Sequence, residues 1–122
     1  MDTLKNTLFA LASPPLFQDS LFPDFVCKGE ELVVDYDDAQ EATDFSASLN
    51  EDQLASFNRL EEFLDENSGE EFVDMYCLTA SLYNDARWEK IRSLSNSLIE
   101  SMGWEYERPE SNGIEYDESD AF

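Results

Sequence analysis

Carboxylates are the side chains of this sequence that could do chemistry, because the other common catalytic groups are scarce. The chain contains 29 Asp and Glu residues but no His, which is the commonest general base and metal ligand. A pair of carboxylates can hydrolyse a glycosidic bond, yet among 29 acidic residues a pair within reach is expected by chance. The four glycines are dispersed, so no phosphate-binding loop is indicated. The sequence therefore predicts a protein that is not an enzyme and that needs no cofactor.

One acidic segment begins like a calcium-binding loop. Asp35 and Asp37 have the spacing of the first two ligands of an EF-hand. That loop requires Gly at its sixth position and Glu at its twelfth, where this chain has Gln40 and Ser46. We therefore predict no metal site here and interpret residues 35–44 as a solvated acidic loop.

Cysteine usage and hydropathy bear on the compartment. Cys27 and Cys77 are far apart and lack the Cys-x-x-Cys spacing of zinc and redox sites, so we predict two buried, reduced thiols. The apolar stretch Leu8–Ala12 is too short for a secretory signal, and only one basic residue precedes it. No apolar run approaches the roughly 20 residues of a membrane span. These features predict a soluble, cytoplasmic protein.

The order of apolar patterns and breaks predicts one α+β domain over residues 1–116, followed by an acidic tail over residues 117–122. Helices are predicted over Asp2–Ala12, Asn50–Gly69, Glu70–Leu82 and from Asn84 or Asp85 to Met102. The second of these has the clearest signal, since Asn50 and Gln53 form a capping pattern before an apolar stripe. The segment Leu16–Phe22 is either one more helical turn or a loop.

Two small β-hairpins complete the predicted helix-rich α+β fold, and they could share one antiparallel sheet. The first pairs Phe25–Cys27 with the apolar, β-branched segment Leu32–Tyr36 through a loop that contains Gly29. The second pairs Trp104–Glu107 with Ile114–Asp117. Apolar and acidic residues alternate in both arms of the second hairpin, which is the period expected of a strand with one buried face.

The net charge is the strongest functional signal. Seven Lys and Arg residues oppose the 29 acidic ones, which gives a net charge of −22 and a pI near 4.1. Such a chain repels nucleic acid and anionic lipid, so neither is expected to bind it directly. Because 42% of the residues are hydrophobic and 13% are aromatic, the chain can also build a core, unlike a disordered acidic polymer.

The acidic residues are predicted to lie on outward faces with few cations to neutralise them. Three of the seven basic residues, Arg87, Lys90 and Arg92, share one predicted helix. Like charges that lie side by side cost stability, and a basic partner would offset that cost. We therefore predict a partner-binding surface. Its predicted residues are Asp35, Asp37, Asp38, Glu41, Asp44, Glu62, Asp65, Glu66, Glu70, Glu71, Asp74, Glu105, Glu107, Glu115 and Asp117.

In size, charge, lack of a catalytic signature and compact α+β pattern, the sequence resembles DNA-mimic antirestriction proteins and several anti-CRISPR proteins. These are small acidic proteins by which phages and mobile elements block host defences. The resemblance implies a non-catalytic inhibitor that acts in the host cytoplasm on a CRISPR effector or a restriction enzyme, with carboxylates in the place of phosphates. An immunity protein that caps a nuclease toxin would have the same profile. A halophilic protein or an acidic adaptor, whose charge maintains solubility, is a third alternative.

Overall fold

A computed structural model describes residues 2–113, and within that range the chain forms helices and connecting segments but no β-strand. The α-helices are α1 (Thr3–Ala12), α2 (Pro15–Ser20), α3 (Lys28–Ala42), α4 (Glu51–Glu66), α5 (Val73–Cys77), α6 (Thr79–Asn84) and α7 (Ala86–Ser101). Short 3-10 helices, Phe45–Ser48 and Glu70–Phe72, precede α4 and α5. The predicted α+β class is therefore wrong, because the described part is a single all-helical domain.

The core lies between the four longest helices. α1 packs against both α3 and α7, and α4 packs against α7. Fully buried side chains from these helices fill the centre: Leu8, Leu11, Leu32, Tyr36, Leu60, Trp88, Ile91 and Leu98. In contrast, the backbones of α3 and α4 do not approach each other closely, and a surface depression lies where both helices meet α5.

Local capping signals place α4 and α7 where the sequence predicts them. The Asn50 side chain accepts a hydrogen bond from the backbone N–H of Gln53 at 2.9 Å, and the Gln53 side chain accepts one from the Asn50 N–H at 3.0 Å. Asp85 caps α7 by accepting from the N–H of Arg87 at 2.9 Å. Gly103 has a φ of +72°, which lets the chain turn after α7. These predictions are confirmed, as is the first helix. The segment Leu16–Phe22, for which the sequence allows a helical turn or a loop, is helical up to Ser20 as part of α2.

The helix α3 covers the second arm of the predicted first hairpin and most of the predicted acidic loop, and the first arm, Phe25–Cys27, is an irregular segment before it. Leu32 and Tyr36 lie one turn apart on its buried face. Gly29, which suggested a turn in the sequence, lies inside this helix. A Cβ at this glycine would come within 2.7 Å of the Trp88 ring and 2.8 Å of the Tyr76 carbonyl oxygen. The glycine therefore serves close packing, and the tertiary contacts of α3 override its β-branched residues.

The segment predicted as one helix over Glu70–Leu82 is divided into a 3-10 turn, α5 and α6, with Leu78 in an extended conformation between the last two. Cys27 and Cys77 form a disulfide that joins the start of α3 to the end of α5. The prediction of two reduced thiols is therefore wrong. Close approach of α5 to Gly29 brings the two cysteines together, and sequence spacing does not reveal such a contact.

The first arm of the predicted C-terminal hairpin, Trp104–Glu107, is not a strand. The Tyr106 hydroxyl shares a hydrogen bond of 2.6 Å with the Oγ of Ser13, which caps the end of α1. This segment therefore packs against α1 instead of pairing with another strand. The second arm, Ile114–Asp117, and the predicted tail, residues 117–122, lie outside the described residues.

Candidate partner-binding site

Side chains of α3 and α4 face each other on one side of the domain, and we call the surface between these two helices the α3–α4 cleft. At one end lie four carboxylates, Asp37 and Glu41 of α3 and Glu61 and Asp65 of α4, which we call the acidic cluster. Each helix contributes two residues that are one turn apart and so share a face. Burial raises the pKa of Glu61 above its usual value, and the charges of the other three carboxylates raise it further.

The Tyr36 hydroxyl lies beneath the acidic cluster and faces Glu61. Its interaction with Glu61 lowers the pKa of that carboxyl and so opposes the effect of burial. Burial and the Glu61 charge hold the pKa of Tyr36 well above its usual range. The two groups interact without a well-formed hydrogen bond. In residues 2–113, neither the Tyr36 hydroxyl nor Oε1 of Glu61 has a partner of acceptable geometry, although both atoms are buried. The hydroxyl is a donor and the carboxylate an acceptor, so each is the nearest candidate partner of the other.

The side-chain ion pairs of residues 2–113 leave the acidic cluster without a cation. They join Lys28 to Asp19 and Asp24, and Arg87 to Asp85 at 2.7 Å. None of these pairs includes a predicted partner-binding residue. The repulsion within the acidic cluster is therefore not offset by an ion pair in this part of the chain.

Three other basic side chains are held by contacts elsewhere on the domain. Lys5 lies over the Trp104 ring at 4.7 Å, and Arg108 lies over the Phe17 ring at 4.0 Å. Arg92 donates hydrogen bonds to groups on α2 and α6. These three cations are therefore engaged away from the acidic cluster.

The structure separates the predicted trio Glu62, Asp65 and Glu66. Asp65 belongs to the acidic cluster. Glu62 and Glu66 instead line a shallow depression that also contains Arg59 and Lys90. These two glutamates therefore belong to a surface of mixed charge and not to the acidic cluster.

The remaining predicted residues do not join the acidic cluster. Burial raises the pKa of Asp35, which accepts a hydrogen bond from the Asn112 amide at 2.9 Å and is also affected by the charge of Asp38. Exposed positions outside the acidic cluster are occupied by Asp38, Asp44, Glu70, Glu71, Asp74, Glu105 and Glu107. Glu115 and Asp117 lie outside the described residues. The predicted surface is thus several patches, of which one spans two helices.

The other end of the α3–α4 cleft is an apolar depression of about 400 Å³, which we call the apolar groove. It is lined by Glu30, Val33, Val34, Leu64, Ser68, Gly69, Glu70, Val73, Tyr76 and Cys77. The exposed fraction is 43% for Val34 and 54% for Val73, so the lining is open to another molecule. Val33 precedes Asp37 by one helical turn, and Leu64 precedes Asp65 by one residue. The apolar groove and the acidic cluster are therefore continuous.

One group of potential metal donors borders the apolar groove. The sulfurs of Cys27 and Cys77 and a carboxylate oxygen of Glu30 lie within 4.8 Å of one another. The two sulfurs form a disulfide, and zinc binds thiolates. The arrangement therefore fixes α5 against α3 and does not present a zinc site in this oxidised state.

Glu61 and Tyr36 are absent from the residues that the sequence predicts for the site. Glu61 lies four residues before Asp65, and this helical spacing was the available signal for grouping them. Tyr36 falls in a segment that the sequence predicts as a strand. Its burial beneath α4 depends on a contact between helices, which no local pattern contains.

Comparison of the chain with protein-family models, curated proteins and solved structures gives no match. The fold and the site define an all-helical domain with a surface cleft that is acidic at one end and apolar at the other. Within residues 2–113, no helix combines the length and the apolar character that crossing a membrane requires.

Proposed function

We propose that this protein is a non-catalytic inhibitor that uses the α3–α4 cleft to cover the basic, nucleic-acid-binding surface of another protein. The acidic cluster is the observation that supports this most, because two helices bring four carboxylates together and no ion pair in residues 2–113 neutralises them. Arg and Lys side chains of a partner would remove the repulsion and donate hydrogen bonds to the accessible carboxylates of the acidic cluster.

A nucleic-acid-binding surface fits this charge better than an ordinary protein surface does. Such a surface presents arrays of Arg and Lys to phosphates, and carboxylates on rigid helices can occupy the positions of those phosphates. The net charge of −22 would speed the encounter by electrostatic steering. Inhibition would then be competitive, and CRISPR effectors, restriction enzymes and nuclease toxins form the class of partner.

Partners of this class act in the cytoplasm, which we propose as the location of the protein. A disulfide such as Cys27–Cys77 is more typical of oxidising compartments, so its state in cells tests the location. Acid quenching of intact cells, followed by alkylation of the unfolded protein, should modify both cysteines if the protein is cytoplasmic. Complete resistance of both cysteines to alkylation until a reductant is added would contradict the proposed location.

The proposed function can be tested by capture from a lysate of the cells in which the protein is naturally produced. The cleft variant neutralises the acidic cluster by Asp37→Asn, Glu41→Gln, Glu61→Gln and Asp65→Asn. The control variant removes the same number of charges at exposed positions outside the cleft, by Glu51→Gln, Asp52→Asn, Glu89→Gln and Glu100→Gln. Because both variants have the same net charge, a difference between them reports on the position of the carboxylates.

We expect the wild type and the control variant to retain a basic, nucleic-acid-binding protein that duplex DNA and added salt displace. The cleft variant should retain much less of it. Equal retention by the cleft variant, or a complex that binds DNA while still holding this protein, would contradict the proposal. Recovery of no basic protein would contradict it as well. The identity of the retained protein distinguishes a defence nuclease from a toxin.

A further inference from the structure

We propose that the apolar groove binds an aliphatic side chain of the partner, about one helical turn away from the Arg or Lys that enters the acidic cluster. This inference rests on the proposed function, because it names the chemistry by which the same partner is recognised. The occupant is a partner segment that carries both side chains on one face.

The geometry of the cleft sets the spacing between the two side chains. Val33 and Asp37 are four residues apart on α3, and an α-helix rises by about 1.5 Å per residue. The apolar groove and the acidic cluster are therefore about 6 Å apart along the cleft. Residues i and i+4 on a partner helix have this separation, so an aliphatic residue and a basic residue at that spacing would reach both ends.

The apolar groove has the size and exposure of an anchor site. Its volume of about 400 Å³ lies in the range of pockets that enclose small ligands. Val34 and Val73 expose about half of their surface there, and Leu64 forms a buried part of the lining. Interface hot spots form where a side chain fills a pocket of this kind and excludes water.

Charge complementarity decides which occupant fits. Glu30 and Glu70 line the apolar groove, and the acidic cluster adjoins it. A second copy of this chain would add its own net charge of −22, and nucleic acid would add phosphates. The cleft therefore repels both of these occupants. A segment that combines an aliphatic and a basic side chain satisfies the apolar lining and the carboxylates together.

Two synthetic peptides and the ¹⁵N-labelled full chain test the proposal by NMR titration. Both peptides are alanine-rich helices that contain one Leu and one Arg. In the matched peptide these residues are four positions apart and share a face, and in the control peptide they are two positions apart and do not. We expect the matched peptide to shift the backbone signals of Val33, Val34 and Val73 and to bind at least about tenfold more tightly than the control peptide.

Variants of the chain separate the apolar contact from general effects. Val73→Ser removes an exposed part of the lining, so the fold should persist while the matched peptide binds about tenfold more weakly. Leu16→Ser is the control, because Leu16 is 65% exposed on α2 and lies outside the cleft. It should leave the affinity for the peptide unchanged. Thermal unfolding of each variant verifies that the fold is retained.

The remaining outcomes overturn the proposal in distinguishable ways. If both peptides bind equally and shift only signals of the acidic cluster, the apolar anchor is wrong while the proposed function survives. If binding in the apolar groove requires Leu but is unaffected by salt and by the cleft variant, the pairing of the two ends and the proposed function both fail. Absence of any shift at millimolar peptide also overturns the proposal. Groove signals that change with protein concentration alone overturn it as well, because they would mean that a second copy of the chain occupies the apolar groove.

Discussion

Tyr36 of α3 and Glu61 of α4 face each other beneath the acidic cluster. The Tyr36 side chain is fully buried, and its hydroxyl and Oε1 of Glu61 both lack a well-formed hydrogen bond among residues 2–113. Leaving a buried polar atom without a partner costs on the order of 1–3 kcal/mol. This contact lies beneath the acidic cluster, so a substitution at Glu61 should change the stability of the domain.

Neutralising Glu61 should stabilise the free protein in a pH-dependent way. Because its folded-state pKa is raised above the usual value of 4.5, the contribution of Glu61 to stability is complete below that value and is lost as the pH rises through the folded-state pKa. Glu61→Gln removes this loss and retains an acceptor for Tyr36. We expect the free energy of unfolding to increase by about 0.5–1 kcal/mol at pH 7 and to match the wild type below about pH 4.

Urea denaturation between about pH 4 and pH 8 measures this difference. The neighbouring substitution Glu62→Gln is the matched control, because Glu62 lies beside Arg59 and Lys90 on the surface of mixed charge. It should give no increase in stability. A Glu61→Gln protein that is no more stable than the wild type at pH 7 would show that the acidic cluster does not repel itself.

The buried amine of Lys28 should be needed for stability, whereas an exposed amine should not. Lys28 is 2% exposed and donates to the carboxylate and backbone oxygen of Asp19 and, at 2.9 Å, to Asp24. Lys28→Met leaves Asp19 without its cation and should cost about 2–3 kcal/mol of unfolding free energy. Lys90→Met, at an exposed position, should change it by less than about 0.5 kcal/mol. Equal effects in chemical denaturation would show that the Lys28 contacts contribute nothing.

Gly29→Ala should destabilise the domain, although Ala normally favours a helix. The added Cβ would come within 2.7 Å of the Trp88 ring and 2.9 Å of the Tyr76 Cα, and the backbone of α5 cannot move without disturbing the core. Thermal denaturation should show that the free energy of unfolding falls by about 2–3 kcal/mol. The control, Glu30→Ala, changes the next and exposed position of α3 and should be nearly neutral. Stabilisation by Gly29→Ala would mean that α3 and α5 are not in close contact.

Reduction of the Cys27–Cys77 disulfide should lower stability substantially. The bond closes a loop with a sequence separation of 50 residues, for which the chain-entropy treatment gives about 4 kcal/mol. Thermal unfolding with and without dithiothreitol measures the effect. The double variant Cys27→Ser and Cys77→Ser should be insensitive to the reductant. An unchanged unfolding temperature of the wild type on reduction would show that the disulfide does not stabilise the fold.

The helices with local signals could be predicted from the sequence, and those set by tertiary contacts could not. α4 is recognisable because Asn50 and Gln53 cap it, and α7 because Asp85 precedes an apolar stripe. α3 resembles a hairpin in sequence because Val33 and Val34 are β-branched and Gly29 suggests a turn. Its helical form depends on packing against α1 and α5, which a one-dimensional pattern does not report.

The candidate site could be predicted only in part. Asp37, Glu41 and Asp65 are among the predicted partner-binding residues and lie in the acidic cluster. Glu61 was missed because the interpretation of residues 35–44 as a loop concealed the helical face that lies opposite it. The apolar groove was missed because it exists only where α3, α4 and α5 meet.

The salt dependence of binding to the captured partner tests the central claim most directly. Isothermal titration calorimetry at about 50 mM and 200 mM salt should show an affinity that falls at least about tenfold for the wild type and the control variant. The cleft variant should bind more weakly at low salt and should lose less affinity as salt is added, and duplex DNA should compete with the wild type. An affinity that is independent of salt and equal for the cleft variant and the wild type would contradict the account.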